Sequence, residues 1–268
     1  MTSYSPETKT SHIKEFPLKT PQDYDTMAYV VEHTDFEITP HVHTQTLESV
    51  GDQGIVVTRM RGTPIMLLVQ FEAGIPYIYY HLQDFPEKVR MLYDIISEKS
   101  IQHYEQLMST DAEYICTEEN TSLSLISPDI YQEFVLPLKQ RINRIVKGAG
   151  KYHILHMCGT LKGLLGQINQ VGADCWESFT PPPIGDTHFS DGRAVSPKTV
   201  LAGGMNAAML TQWKEKEIHR YVASAVEGLA DKRGLIFTSG GAMPIECPLE
   251  KLIRIGKTMS GHLSLRER

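Results

Sequence analysis

The stretch KYHILHMCG, residues 151–159, contains a short apolar run that follows Gly150 and ends before the Gly159-Thr160 pair. This pattern is typical of a buried β-strand that ends where polar residues begin. Because side chains two apart in a strand point to the same face, His156 and Cys158 are predicted to project together. An imidazole and a thiolate on one face form half of a tetrahedral zinc site, whereas H-x-C taken alone favours a packed histidine beside an inert thiol.

Strands alternate with helices without interruption from about residue 110 onward. The apolar runs that predict strands lie at residues 114–116, 151–155, 173–179, 200–203 and 235–238. Such alternation indicates parallel βαβ units, and by itself it fits a doubly wound sheet as well as a barrel. Polar residues follow each strand, and in a (β/α)8 barrel the residues after the strands form the active-site face. We therefore expect an α/β barrel whose site is drawn from several strand ends.

Prolines mark the starts of three helices. The predicted helices begin at Pro21, Pro86 and Pro128 and end near residues 32, 109 and 148. Pro137 lies inside the third helix and is expected to kink it. Residues 35–54 show no interpretable pattern.

Length and composition indicate one large domain, residues 1–268. The chain has 268 residues, of which 41% are hydrophobic, and a net charge of −6 without any basic block, so nucleic acid is not an expected partner. No apolar run reaches transmembrane length and the start lacks the apolar core of a signal peptide, so we expect a soluble cytoplasmic protein without membrane contact. The four cysteines have no close-spaced framework and are expected to be free thiols or ligands.

Several motifs, in order along the chain, resemble those of the uroporphyrinogen decarboxylase superfamily. They are FPLKTPQDY at residues 16–24, SP…FVLP at 127–137, HMCG at 156–159, PIGD at 183–186 and PLE at 248–250. The resemblance covers roughly residues 14–260 and implies a TIM-type (β/α)8 barrel. One strand and helix of the family pattern are not recognisable near the start, so we expect the barrel to be incomplete at its N-terminal end.

The H-x-C-G motif is most similar to the methylcobamide:coenzyme M methyltransferase branch of this superfamily. That resemblance implies a zinc-dependent enzyme that moves a methyl group from a corrinoid carried by a partner protein to a thiol or similar small-molecule acceptor. Two alternatives stay open. One is a decarboxylase of porphyrin metabolism, whose arginine-rich N-terminal segment is missing here. The other is a non-catalytic barrel that binds a corrinoid protein or a small ligand.

The resemblance leaves the third zinc ligand open. Gly241 stands where the methyltransferases keep a distal cysteine and the decarboxylases keep a histidine. Cys247, on the same loop, is the nearest replacement. Glu177, expected to share a strand face with Cys175 and Phe179, is a second candidate. A third is Glu119. The expected metal ligands are therefore His156, Cys158, Cys247 and Glu177.

Three polar residues near the strand ends are predicted to act in catalysis. Asp186 and Asn206 are expected to orient the substrate, and Asn120 to support the metal site. For Asp186, capping a helix is an equally good interpretation. Cysteines 116 and 175 are interpreted as packed side chains. Histidines 41, 43 and 81 lack partners at ligand spacing and are expected at the surface.

Overall fold

The computed structural model describes residues 2–6, 10–241, 243 and 246–263. Its contacts divide the chain into two compact units. Unit 1 comprises Met1–Ile115 and Ile130–Lys151, and unit 2 comprises Cys116–Asp129 and Tyr152–Arg268. The expectation of a single domain over residues 1–268 stays a prediction.

The first half of the chain is mostly helical. Its strands are β1 (Thr2–Ser5), β2 (Thr10–Ile13), β3 (Val57–Arg61) and β4 (Tyr114–Glu118). Its helices are α1 (Pro21–Glu32), α2 (Pro40–Val50), α3 (Pro64–Leu67), α4 (Tyr77–Asp84) and α5 (Pro86–Met108). The strands β1 and β2 form an antiparallel pair.

The second half alternates strands with helices. The strands are β5 (Tyr152–His156), β6 (Cys175–Phe179), β7 (Val200–Met205) and β8 (Leu235–Ser239). The helices are α6 (Pro128–Ile130), α7 (Leu136–Gly148), α8 (Leu165–Asn169), α9 (Phe189–Val195), α10 (Ala207–Gln212), α11 (Glu215–Val226) and α12 (Leu249–Leu263). None of the described helices combines the length and the apolar character that crossing a bilayer requires.

Local sequence explains where the helices of unit 1 begin and bend. At the start of α1, the Asp23 carboxylate accepts hydrogen bonds from the backbone amides of Lys19 (3.0 Å) and Thr20 (2.7 Å), which caps the helix. Ahead of α7, the backbone forms a π-helical turn, Tyr131–Val135. Pro137 follows that turn and lacks an amide hydrogen, so the helix loses its regular hydrogen bonding where the sequence predicted a kink.

The core of unit 1 packs the long helix α5 against α7. Its buried members are Ile101, Tyr104, Leu107, Ala112, Ile115, Leu138, Ile142 and Val146. Within α5 and α7 these residues recur at the three- and four-residue spacing of an amphipathic helix, so one face of each helix is buried.

The strands of unit 2 lie side by side in chain order, β4-β5-β6-β7-β8. The pairs β5–β6, β6–β7 and β7–β8 are parallel, so the carboxyl ends of these strands meet at one edge of the sheet. Helices separate the strands, which confirms the predicted α/β class. The described residues contain six strands of this alternating pattern, β3 to β8, and the expected incompleteness of the barrel at its N-terminal end stays a prediction.

One region that the sequence left uninterpreted contains a helix, and one prediction is wrong. The unreadable region 35–54 contains α2, a helix with no buried residue, so no apolar stripe marked it in the sequence. His81, expected at the surface, is buried: its Nδ1 lies 3.0 Å from the Tyr24 hydroxyl, and its ring packs on Phe85. Aromatic neighbours brought together by tertiary packing give no signal at metal-ligand spacing, which was the pattern sought.

Candidate functional site

His156 ends β5, and Glu177 lies directly opposite it in β6. The Nδ1 nitrogen of His156 is 2.9 Å from Oε2 of Glu177, and both side chains are largely buried, with 14% and 24% exposed. The two residues therefore lie at the same end of the sheet, as a barrel-type site requires. A carboxylate on Nδ1 fixes the ring orientation and leaves Nε2 as the nitrogen that can bind a ligand.

A β-bulge in β6 shapes this pair. Trp176 pairs with Leu201 and Phe179 with Gly203, so two residues of β6, Glu177 and Ser178, lie opposite a single residue of β7. Ser178 adopts a left-handed backbone conformation with φ of +63°. Its hydroxyl oxygen lies 3.4 Å from Nδ1 of His156, the same nitrogen that contacts Glu177. No feature of the β6 sequence itself marks this extra residue, and Ser178 was not predicted.

The bulge corrects one expectation about β6. Glu177 was expected to share a face with Phe179, because regular alternation puts residues two apart on one side. Instead the rings of Trp176 and Phe179 stack with their centroids 6.2 Å apart, although they are three residues apart. The extra residue resets the alternation, so Phe179 packs with Trp176.

Two glycines in β7 allow close contacts: Gly203 with the backbone of β6, and Gly204 with the Phe189 ring of α9. A Cβ atom on Gly203, whose φ is +144°, would lie 2.3 Å from the carbonyl oxygen of Phe179. A Cβ atom on Gly204 would lie 2.7 Å from the Phe189 ring. Glycine within a strand often marks such a bulge or a close approach, and the LAGGM sequence of β7 is the one trace that the bulge leaves in the sequence.

Cys158 lies two residues beyond His156, in the loop after β5. Its thiol donates to the side-chain oxygen of Asn120, at 2.8 Å, so the predicted residue Asn120 does lie at the site. The next residue, Gly159, has a φ of +125°, and a Cβ atom there would lie 2.6 Å from the Ser122 side chain. Ser122 also accepts the backbone amide of Thr160 at 3.1 Å. The loops after β4 and β5 therefore pack on each other, and this packing fixes the position of Cys158.

Asp186 anchors the same loop from the other side. One of its carboxylate oxygens accepts hydrogen bonds from the backbone amides of Leu161, at 2.6 Å, and Lys162, at 3.1 Å. A Cβ atom on Gly185 would overlap the Thr180 carbonyl at 2.1 Å, so the PIGD turn packs tightly on the chain after β6. The structure thus places Asp186 as a support for the Cys158 loop. Its predicted role in orienting substrate stays a prediction.

The side chain of Asn206, the next predicted catalytic residue, forms hydrogen bonds with backbone groups. Its side-chain oxygen accepts the amide of Met209 at 3.1 Å and caps α10. Its side-chain nitrogen donates to the carbonyls of Pro181 and Pro182, at 3.3 and 3.2 Å. With 1% of its surface exposed, Asn206 joins the start of α10 to the loop after β6.

Cys247, the predicted third ligand, lies in an apolar cluster. The cluster comprises Met205, Met209, Leu210, Ile218, Val222, Cys247 and Ile255. The thiol of Cys247 contacts the Leu210 carbonyl at 3.5 Å and is 9% exposed. Glu119 is also buried and accepts the Thr121 hydroxyl at 2.8 Å. Of the expected ligands, the structure brings His156, Glu177 and Cys158 to one strand edge.

Charge at the site favours a protonated His156. Burial by itself lowers the pKa of His156, but the hydrogen bonds to Cys158 and Glu177 outweigh it and raise that pKa to about 9. Cys116 also points toward Glu177, its sulfur 3.8 Å from Oε2. Burial, together with the charge of Glu177, raises the pKa of Cys175 to about 12. Cysteine 175 is therefore a protonated, packed thiol at neutral pH.

The donors near His156 suit zinc in kind. Imidazole nitrogen and thiolate sulfur are its common ligands, and metal-binding histidines usually donate their other nitrogen to a carboxylate, as His156 does here. There are fewer of these donors than a zinc site usually has. Among the described residues, no three His, Cys, Asp or Glu side chains are arranged as a metal-binding group.

Comparison with known proteins identifies the family. The sequence profile of uroporphyrinogen decarboxylase (URO-D) matches residues 3–261. The chain belongs to the uroporphyrinogen decarboxylase family. Within 112 aligned residues this family member is 31% identical to a methylated-thiol–coenzyme M methyltransferase of Methanosarcina mazei. The alignment spans 41% of this chain and only 29% of that relative's length.

Solved structures share the fold of this URO-D family member. A methyltransferase from Methanosarcina mazei superposes with a TM-score of 0.70 at 15% identity, covering 98% of this chain and 76% of that one. A Listeria monocytogenes protein whose description names a vitamin-B12-independent methionine synthase gives 0.54 at 15% identity, covering 85% and 70%. At this identity the likeness establishes the fold, and the predicted TIM-type α/β class is confirmed.

Proposed function

We propose that this chain transfers a methyl group to a thiol, with zinc held by His156 and Cys158 and with a corrinoid on a partner protein as the methyl donor. The observation that carries the proposal is the Glu177 carboxylate on Nδ1 of His156, with the Cys158 thiol two residues further on. Membership of the URO-D family and the partial likeness to a methylated-thiol–coenzyme M methyltransferase support the same chemistry.

Two donors leave part of a zinc coordination sphere to other ligands. Catalytic zinc usually has three protein ligands and one exchangeable position. Here Nε2 of His156 and Sγ of Cys158 would hold the ion, and a substrate thiol and water would fill the remaining positions. We therefore expect weaker zinc binding than in a site with three protein ligands, and tighter binding when the thiol is present.

Each residue has a task in this scheme. Glu177 holds the His156 ring by Nδ1, so that Nε2 faces the ligand. In the metal-free protein Asn120 accepts from the Cys158 thiol and sets the direction of the sulfur, and zinc binding would release that thiol proton. A bound zinc ion would keep the substrate thiol deprotonated at neutral pH, which makes its sulfur nucleophilic. Because the pKa of metal-free His156 is about 9, ligand binding at Nε2 must displace a proton at neutral pH.

The test measures zinc content and methyl transfer in the same preparations. Wild-type protein with added zinc is dialysed, analysed for metal and assayed with methylcobalamin as donor and 2-mercaptoethanesulfonate as acceptor. We expect zinc to be retained and methyl transfer to occur, and both to be lost in His156→Ala and Cys158→Ala. Matched controls are His33→Ala, an exposed histidine of unit 1, and Cys175→Ser.

Two outcomes would contradict the proposal. One is wild-type protein that retains no zinc even when the thiol is present. The other is methyl transfer at the wild-type rate in His156→Ala or Cys158→Ala. Metal-free protein that decarboxylates uroporphyrinogen would favour the decarboxylase alternative instead.

A further inference from the structure

We propose that Ser178 is a positioning residue for His156. Its hydroxyl, together with the Glu177 carboxylate, holds the imidazole by its Nδ1 edge. The role follows from where the β6 bulge directs two neighbouring side chains. It goes beyond the proposed function, which assigns no task to Ser178.

Regular strand geometry would keep Ser178 away from His156. Adjacent residues of a strand point to opposite faces, so a side chain next to Glu177 would point toward the helices. The bulge places Glu177 and Ser178 together opposite one residue of β7, and both reach the same nitrogen, at 2.9 and 3.4 Å. A three-centre arrangement of this kind restricts rotation of the ring more than one contact does.

The backbone at Ser178 is strained, which marks it as more than a spacer. Among the described residues, Ser178 is the one non-glycine residue with a positive φ, +63°. A side chain makes that conformation costly, and glycine adopts it freely. A glycine would build the same bulge with less strain but would place no hydroxyl at His156. Ser178 is 3% exposed, so its hydroxyl faces the protein interior rather than solvent.

Two substitutions separate the hydroxyl from the backbone. Ser178→Ala removes the hydroxyl and keeps the strain, whereas Ser178→Gly removes both. We expect both variants to bind zinc about tenfold more weakly than wild type, at the lower end of the effect of outer partners of metal ligands. We also expect Ser178→Gly to melt at a higher temperature than Ser178→Ala. Zinc affinity is measured by competition with a chromophoric chelator.

A second readout does not depend on zinc. The zinc-affinity measurement rests on the proposed function. The His156 ring is therefore also followed by NMR in metal-free protein. We expect one sharp set of ring signals in wild type and broadened or doubled signals in both variants. The control is Ser196→Ala, a buried serine of the same unit whose hydroxyl lies 2.6 Å from that of Thr199; it should leave both readouts unchanged.

The outcomes distinguish this inference from the proposed function. If wild type binds no zinc but both variants disturb the His156 signals, Ser178 keeps its positioning role and the zinc proposal fails. If Ser178→Gly matches wild type in the ring signals, and in zinc affinity where zinc binds, the hydroxyl has no such role and the inference is overturned. A loss seen in Ser178→Ala alone also overturns it, because the backbone would then be the cause.

Discussion

Replacing Glu177 with glutamine should lower the pKa of His156 in the metal-free protein. The substitution keeps the shape of the side chain and removes its charge, so the hydrogen-bonded contact at 2.9 Å loses its ionic component. In wild type the pKa of His156 is about 9 instead of 6.5, despite burial that opposes the shift. Burial and the Cys158 contact remain in the variant, so we expect its His156 pKa to lie below the wild-type value of about 9.

The raised pKa also predicts how stability depends on pH. At about 1.4 kcal/mol per unit, the shift from 6.5 to about 9 corresponds to about 3 kcal/mol. Because the folded state holds the proton more tightly, this contribution is complete below pH 6.5 and is lost as the pH rises through 9. Glu177→Gln should retain only part of this pH-dependent loss, and His156→Gln should retain none of it.

NMR titration of the His156 ring, with the signal assigned by its disappearance in His156→Gln, measures the pKa directly. Chemical denaturation across the same pH range measures the stability. The matched control is Glu227→Gln, an exposed carboxylate at the end of α11, which should leave the His156 pKa at its wild-type value. A wild-type His156 that titrates at or below its ordinary pKa would refute the reasoning, as would a Glu177→Gln variant that titrates like wild type.

Three further substitutions test the neighbouring structure. Cys247→Ser should leave zinc stoichiometry unchanged, because the thiol of Cys247 contacts the Leu210 carbonyl in an apolar cluster. The substitution should lower the free energy of unfolding by about 1 kcal/mol. Loss of zinc in this variant, measured by metal analysis, would show that Cys247 is a ligand. Asn206→Ala should destabilise by about 1–2 kcal/mol in denaturant titrations by removing the cap of α10; no change would show the cap to be unimportant. Gly203→Ala should cost about 2 kcal/mol or more, because its Cβ would overlap the Phe179 carbonyl; a wild-type melting temperature would argue against the bulge.

The sequence allowed the strands and their shared edge to be predicted because both depend on local pattern. The apolar run before His156 and the prolines at Pro21 and Pro86 stand where the structure begins or ends an element. The sequence predicted that His156 and Glu177 lie near each other, because it placed both residues at the ends of strands along one edge of the sheet. The helix α2 was missed, because a helix without a buried face has no apolar periodicity.

The finer geometry of the site could not be predicted from the sequence. The bulge that turns Ser178 toward His156 depends on the pairing of β6 with β7, which alternation within one strand does not reveal. The backbone contacts of Asp186 and Asn206 likewise depend on how loops distant in sequence meet. A polar residue after a strand looks the same in the sequence whether it contacts substrate or caps a turn.

The presence of one zinc ion on His156 and Cys158 is the central claim, and X-ray absorption at the zinc edge tests it most directly. The account predicts one protein sulfur at about 2.3 Å and lighter neighbours at about 2.0–2.1 Å. A second sulfur should join when a thiol substrate binds, and the protein sulfur should be lost in Cys158→Ala. Two sulfur neighbours in substrate-free protein, or a sulfur signal that survives in Cys158→Ala, would contradict the account.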